Sequence, residues 1–342
     1  MIKVLIVDDS PLIRAVLTEV LQKAHDIEVV GTANDPYQAR DLIKKLNPDV
    51  ITLDVEMPKM DGVSFLKNLM RLRPMPVVMI STLTQQGAPV TLECLELGAV
   101  DFVAKPTQQV GNKLLDYAET LHDKIRAAAK AKVRSIKQNS STASTIAESN
   151  FDKTKVIAIG ASTGGTEAIK EVLMRLPEQF PPILITQHIP PVFSASFAER
   201  MDRTAKLTVK EAKDGELIKP NHVYIAPGDY HLAVSGHAGN LSCKVMHAAP
   251  VNRHRPAVDV LFKSIAKLGL GNKVSAAILT GMGADGAAGL LKLKQTGAHT
   301  IAQDEASCVV WGMPRAAVEA DAANKVVSLD NMAQELSNWA KK

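Results

Sequence analysis

The N-terminal third of the chain repeats one pattern five times: a short run of β-branched and aliphatic residues, then a stretch whose apolar positions recur with the helical period. The runs at 2–7, 27–31, 49–53, 76–80 and 99–103 predict strands. Between the first two, Leu12, Ala15, Val16 and Glu19 to Leu21 follow a helical stripe, and Pro11 stands where a first helical turn accepts it. Strand and helix in alternation can bury both faces only as a parallel sheet between helical layers. The expected fold class is therefore α/β and doubly wound.

At 342 residues the chain exceeds one ordinary core, given roughly 150 residues per domain. Over 107–151 the alternation lapses: a helical start leads into Ala127-Ala128-Ala129-Lys130-Ala131-Lys132, then into the polar Ser140-Ser141-Thr142-Ala143-Ser144-Thr145, which has a linker's composition. The strand pattern resumes with Val156-Ile157-Ala158-Ile159-Gly160. Further strands are expected at 182–187, 222–226, 274–280 and 298–302, helices near 165–176, 256–268 and 285–296, and a hairpin over 230–246. Two α/β domains result, 1–106 and 152–342.

Charge and cysteine content narrow the partners. Lys and Arg are interspersed with acids for a net charge of +4, without the basic stripe or recognition helix that nucleic acid requires. Cys94, Cys243 and Cys308 are too few and too scattered for a disulfide framework or a zinc site, so a reducing, cytoplasmic setting is expected. No apolar run approaches the roughly 18 residues of a membrane span, and neither export nor membrane insertion is expected.

Three carboxylates fall at strand ends: Asp8 and Asp9 after the first, Asp54 after the third. Ligands of open parallel sheets bind at that edge. Clustered carboxylates repel one another and so suit a divalent cation, Mg²⁺ for hard oxygen ligands. Ser81 after the fourth strand and Lys105 after the fifth can bind phosphate oxygens beside it. Each acid by itself can equally be a helix cap in a solvated loop.

In the second half, Gly160-Ala161-Ser162-Thr163-Gly164-Gly165 follows a strand and opens a helix. Small residues allow a sharp turn that exposes the Ser162 hydroxyl, while the N–H groups of Thr163 and Gly164 at the helix start suit an oxyanion. Dinucleotide binding is the rival reading, but the G-x-G-x-x-G pattern is absent. A serine nucleophile needs a base. His188, ending the strand Ile183-Leu184-Ile185-Thr186-Gln187, is favoured over His254, which with Arg255 can instead bind substrate. Asp285, after the apolar run that ends in Leu279, can orient the imidazole or merely cap the next helix. The flexible Gly281-Met282-Gly283 backbone offers a further oxyanion donor at Met282 N–H. Cys308 is a rival nucleophile without an elbow.

The Asp-Asp, Asp and Lys-Pro arrangement over residues 1–106 resembles the response-regulator receiver family. Residues 152–342 resemble the catalytic domain of the chemotaxis protein-glutamate methylesterases in Gly-Ala-Ser-Thr-Gly-Gly-Thr-Glu at 160–167, Gln187-His188, Ala226-Pro227-Gly228, His254-Arg255-Pro256 with Asp259, and Thr280-Gly281-Met282-Gly283 before Asp285-Gly286. The resemblance implies a flavodoxin-like receiver joined to a Rossmann-like, three-layer hydrolase. In it Asp54 accepts a phosphoryl group from a chemotaxis histidine kinase, and Asp8, Asp9, Asp54 and the Glu56 carbonyl hold Mg²⁺. Ser162, His188 and Asp285 form a hydrolytic triad needing no cofactor, with methyl-accepting chemoreceptors as substrates for phosphorylation-activated demethylation and for glutamine deamidation. The order Ser, His, Asp differs from that of α/β-hydrolases, whose fold is not implied. A receptor-binding scaffold and a DNA-binding response regulator are the alternatives, the latter disfavoured by an α/β output half.

Overall fold

The apolar runs of the N-terminal third pair side by side in a computed structural model, which describes residues 1–82, 84, 87–105, 112–133, 146–147 and 149–342. The chain divides into two units, Met1–Asn139 and Ser140–Lys342. The first contains β1 (Ile2–Val7), α1 (Pro11–Gln22), β2 (Ile27–Ala33), α2 (Pro36–Leu46), β3 (Val50–Asp54), α3 (Gly62–Leu72), β4 (Val77–Ser81), α4 (Gly87–Glu96), β5 (Asp101–Ala104) and α5 (Asn112–Lys130). Its parallel sheet has the order β2-β1-β3-β4-β5. Because the chain runs first to one side of β1 and then to the other, the crevice between the ends of β1 and β3 is the switch point.

Local signals fix the helix starts: the Ser10, Asp35 and Asp61 side chains accept hydrogen bonds from Ile13 N, Gln38 N and Ser64 N at the heads of α1, α2 and α3. The helical start of the 107–151 segment is α5, which packs beside α1 and against β5. Leu121, Ile125 and Ala128 are buried there, so α5 closes one layer of the first unit. The polar stretch 140–145 lies outside the described residues.

The second unit contains β6 (Val156–Ala161), α6 (Gly165–Arg175), β7 (Ile183–Gln187), α7 (Pro191–Thr204), β8 (Thr208–Glu211), β9 (His222–Ile225), β10 (His231–His237), β11 (Asn240–Met246), α8 (Val258–Ala266), a short 3₁₀ turn, β12 (Val274–Ile278), α9 (Ala287–Gln295), β13 (His299–Gln303), α10 (Met313–Glu319), β14 (Lys325–Val327) and α11 (Leu329–Ala340). Seven parallel strands run β14-β13-β12-β6-β7-β9-β8, and β10-β11 is the expected hairpin. Helices α6, α7 and α11 pack together on one side, α8, α9 and α10 on the other.

From β6 the chain moves outward through β7 and then returns to add β12 on the opposite flank, so the ends of β12, β6 and β7 stand adjacent at a second switch point. Helix α8 buries Val258, Leu261, Phe262 and Ile265, spaced along one stripe. Full burial of each large apolar side chain contributes about 1.5–3 kcal/mol, so the stripe anchors α8 and leaves its N-terminus to serve the sheet edge.

Candidate functional site

Ser162 follows the last residue of β6 in a turn held from three sides. Its N–H donates to Thr280 O at 3.0 Å, and its carbonyl accepts from Gly165 N at 2.7 Å and from the Gln187 amide at 2.9 Å. Gly164, with φ 74°, caps α6 in a left-handed conformation that a side chain would strain. The turn leaves Ser162 half-buried with its hydroxyl toward the end of β7.

There His188 presents Nδ1 at 3.1 Å from Ser162 Oγ, while its Nε2 lies 2.8 Å from Asp285 Oδ2. An ionised carboxylate only accepts, so Nε2 carries the hydrogen and Nδ1 keeps a lone pair facing the serine. The His254 ring stacks on that of His188, with centroids 3.7 Å apart. The series of bonds can draw a proton from Ser162 and stabilise the imidazolium that forms.

Asp285 is not a cap of its own helix: the N-cap of α9 is Gly286, and no side chain caps it. Its carboxylate instead accepts from Val258 N at 2.7 Å and Asp259 N at 3.2 Å, the first turn of α8, and from Asn252 Nδ2 at 2.7 Å. Burial alone would raise this carboxyl, but hydrogen bonds from His188, Asn252 and Val258 outweigh it and hold the group below the usual carboxylate range. Met282 is half-buried at the mouth of the turn, and its N–H has no acceptor among the described residues. Thr163 is buried and its carbonyl accepts from Thr280 Oγ1 at 3.0 Å.

The first unit gathers a different chemistry at its switch point. Single oxygens of Asp8, Asp9 and Asp54 lie within 4.8 Å of one another. Lys105 Nζ donates to Asp54 Oδ2 at 2.7 Å and stands 3.8 Å from Asp8 Oδ2. Burial pushes the Asp54 carboxyl up to about 6 against the pull of the Lys105 hydrogen bond, and it raises Asp8 as well. Asp8 Oδ2 is buried with no hydrogen-bond partner. Crowded, desolvated hard oxygens with one unsatisfied atom fit a divalent cation. Glu56 is exposed beside them, and its N–H lies 3.4 Å from Asp54 Oδ1. Ser81 is buried, its hydroxyl sharing a 2.7 Å hydrogen bond with Thr91.

Residues 157–336 match the family model described as CheB methylesterase, and residues 4–116 match that of the response regulator receiver domain. The chain belongs to the CheB methylesterase family. The protein-glutamate methylesterase/protein-glutamine glutaminase of Salmonella typhi is 54% identical over 335 residues, 98% of this chain and 96% of that protein. A protein of the same description from Cupriavidus pinatubonensis is 53% identical over 338 residues, 98% of this chain and 95% of that one. The crystal structure of the Thermotoga maritima CheB methylesterase catalytic domain is 42% identical, with a TM-score of 0.52 over 54% of this chain and 97% of the other.

Within this member of the CheB methylesterase family, the sheet edge brings the expected Ser162, His188 and Asp285 side chains together, and three neighbouring polar side chains complete their surroundings. The Arg255 guanidinium, a candidate for substrate, is occupied by Asp229 and by Ala248 O. Gln187, quoted only as part of a motif, ties Ser162 O to His188 O. Asn252 carries no motif signal; it reaches Asp285 because two left-handed residues fold it back.

Gly281 is required for a different reason than turn conformation. A Cβ there would lie 2.5 Å from Met313 Sδ and 2.7 Å from Ser162 Cβ. Gly281→Ala must push the serine off its line to His188. A displacement near an ångström costs about 10²-fold in turnover, so kcat is expected to fall about that much. Steady-state kinetics with a thermal melt checks this, and unchanged kcat would show that the serine turn can yield without loss.

Proposed function

We propose that the protein hydrolyses γ-methyl esters of glutamate side chains on methyl-accepting chemoreceptors, releasing methanol, and deamidates receptor glutamines at the same serine. The observation that carries this is the hydrogen-bonded series Ser162, His188, Asp285 at one sheet edge, in a chain whose relatives are described as methylesterase and glutaminase. His188 Nδ1 takes the proton as Ser162 Oγ bonds to the ester carbonyl carbon. The oxyanion is met by Met282 N–H and by N–H groups at the Thr163–Gly164 turn. Collapse breaks the bond to the methoxy oxygen, which leaves as methanol with the proton from His188. Water, deprotonated by the same nitrogen, then cleaves the acyl-serine to give glutamate and free Ser162. An amide follows the same course with ammonia as leaving group. The His254 ring, stacked on His188, is assigned to flanking the substrate, and the stacking supports a role in holding the plane of His188.

Control is assigned to Asp54. Its carboxylate attacks the phosphorus of a phosphohistidine on a chemotaxis histidine kinase, and the histidine nitrogen leaves. Asp8, Asp9, Asp54 and the Glu56 carbonyl would hold Mg²⁺, which when bound neutralises charge on the phosphoryl oxygens. Lys105, already on Asp54 Oδ2, and Ser81 are assigned to binding those oxygens afterwards. Asp54→Asn is expected to incorporate no phosphoryl group and to show no stimulation of methanol release by a small phosphodonor. A fragment of residues 150–342, which retains all three hydrolytic side chains, is expected to release methanol independently of the phosphodonor. Stimulation surviving in Asp54→Asn would move the phosphorylation site elsewhere.

Among the described residues no helix is long and apolar enough to cross a membrane. Receptor membranes are supplied as the substrate in these assays. A scaffold that binds receptors without turnover would give no methanol from any form.

A further inference from the structure

The turn from Val251 to His254 touches both His188 and Asp285. It is closed by Val251 N donating to His254 O at 3.0 Å and His254 N donating to Val251 O at 2.9 Å. Asn252 and Arg253 at its centre have φ of 52° and 67°. Two successive left-handed residues closed in this way make a type I′ turn, whose first central position favours Asn or Gly. His254 goes from the turn onto the His188 ring, and Asn252 goes onto the acid.

The Asn252 amide stands between two buried carboxylates. Nδ2 donates to Asp285 Oδ1 at 2.7 Å and to Asp259 Oδ2 at 3.2 Å. Asp259 has other partners, Gly289 N at 2.6 Å and Lys263 Nζ at 2.8 Å, and so stays where it is when the amide changes. Asp285 depends on the amide more directly. Its Oδ2 receives His188 Nε2 and Val258 N, while its Oδ1 receives Asn252 and, at 3.2 Å, Asp259 N. Without the shorter of the two bonds to Oδ1, that oxygen keeps only the 3.2 Å bond from Asp259 N, and the carboxylate loses one of the four bonds that resist rotation about its Cβ–Cγ bond. That rotation takes Oδ2 off the imidazole.

We infer that Asn252 is a positioning residue of the hydrolase: its amide locks the Asp285 carboxylate in the orientation that keeps Oδ2 on His188. The inference rests on the roles proposed above for Ser162, His188 and Asp285. Asn252 is itself solvent-exposed, so removing its side chain opens no hole in the core.

Two substitutions separate the amide from the turn. Asn252→Gly retains the left-handed conformation and removes both donors. Asn252→Asp retains shape and tolerance of that conformation but replaces the donor with a third carboxylate. A hydrogen bond to a charged group controls roughly a 10- to 100-fold effect, so kcat for methanol release from methylated receptor membranes should fall by that factor in Asn252→Gly, and further in Asn252→Asp. KM and the melting temperature of Asn252→Gly should stay near those of the parent.

The deciding measurement repeats Asn252→Gly in the Asp285→Asn background under single-turnover conditions. With no carboxylate to orient, the glycine substitution should cost less than about threefold there. A parental kcat in Asn252→Gly, or an equal loss in both backgrounds, overturns the inference while leaving the hydrolase reading intact. Full activity of Ser162→Ala overturns the reading beneath it instead.

Discussion

Replacing Ser162 by alanine is expected to cut methanol release by about 10⁶-fold, the loss that removal of a serine or histidine from a comparable triad produces, while the protein stays folded. Among the described residues the hydroxyl is bonded only to His188 Nδ1, and the backbone bonds that hold the turn do not involve it. Alanine therefore removes the proposed nucleophile and nothing that shapes the elbow. His188→Ala should lose nearly as much, because without Nδ1 no group among the described residues is bonded to that hydroxyl to take its proton. The two losses should not add: the double variant should resemble either single one if Ser162 and His188 are the nucleophile and base proposed, since such a pair acts as a unit. Methanol release at the parental rate from Ser162→Ala would remove the serine from the reaction. Buried Cys308 is then the thiol to substitute next.

Much of this arrangement is legible in the sequence because strands of a buried parallel sheet read as predominantly apolar runs. The residues proposed for the two sites sit where those runs stop. Ser162, His188 and Asp285 are separated by 26 and 97 positions, yet each follows a run that becomes one of three neighbouring strands, β6, β7 and β12. The ends of β1, β3 and β5 likewise deliver Asp8, Asp54 and Lys105.

What stays hidden has local physical reasons. Strands β8 and β14 lie at the two margins of the second sheet, and Thr208-Val209-Lys210-Glu211 and Lys325-Val326-Val327 are short and carry charge, as edge strands do. Helix α5 reads as the beginning of a linker because its buried Ile125, Ala127 and Ala128 run on into an alanine- and lysine-rich tail. The capping role of Asp285 is visible in kind but not in direction, since the helix it caps is α8, which precedes it in the chain and meets it only in the folded sheet edge.

That double engagement gives Asp285→Asn a large and diagnostic effect. Four donors converge on the carboxylate: His188 Nε2 and Val258 N on Oδ2, Asn252 Nδ2 and Asp259 N on Oδ1. A carboxamide has one accepting oxygen and one donating nitrogen, so in either orientation its NH₂ faces donors. With NH₂ toward Oδ1's partners, His188 keeps its tautomer but loses the charge that stabilises the imidazolium. With NH₂ toward His188, the ring must accept at Nε2 and carry its hydrogen on Nδ1, pointing at Ser162 with no lone pair to take the proton. The second outcome costs about 10⁴-fold in kcat in triads of this kind, and that is the expected loss. Stability should fall too, by about 1–3 kcal/mol for the donors left unpaired at the head of α8. The ratio of these effects identifies what the acid does. A residue that only capped α8 would lower the melting temperature and leave kcat within tenfold of the parent, whereas one that orients the base loses turnover far beyond what its loss of stability explains. Single-turnover methanol release below the melting transition, measured beside a denaturant titration, separates the two.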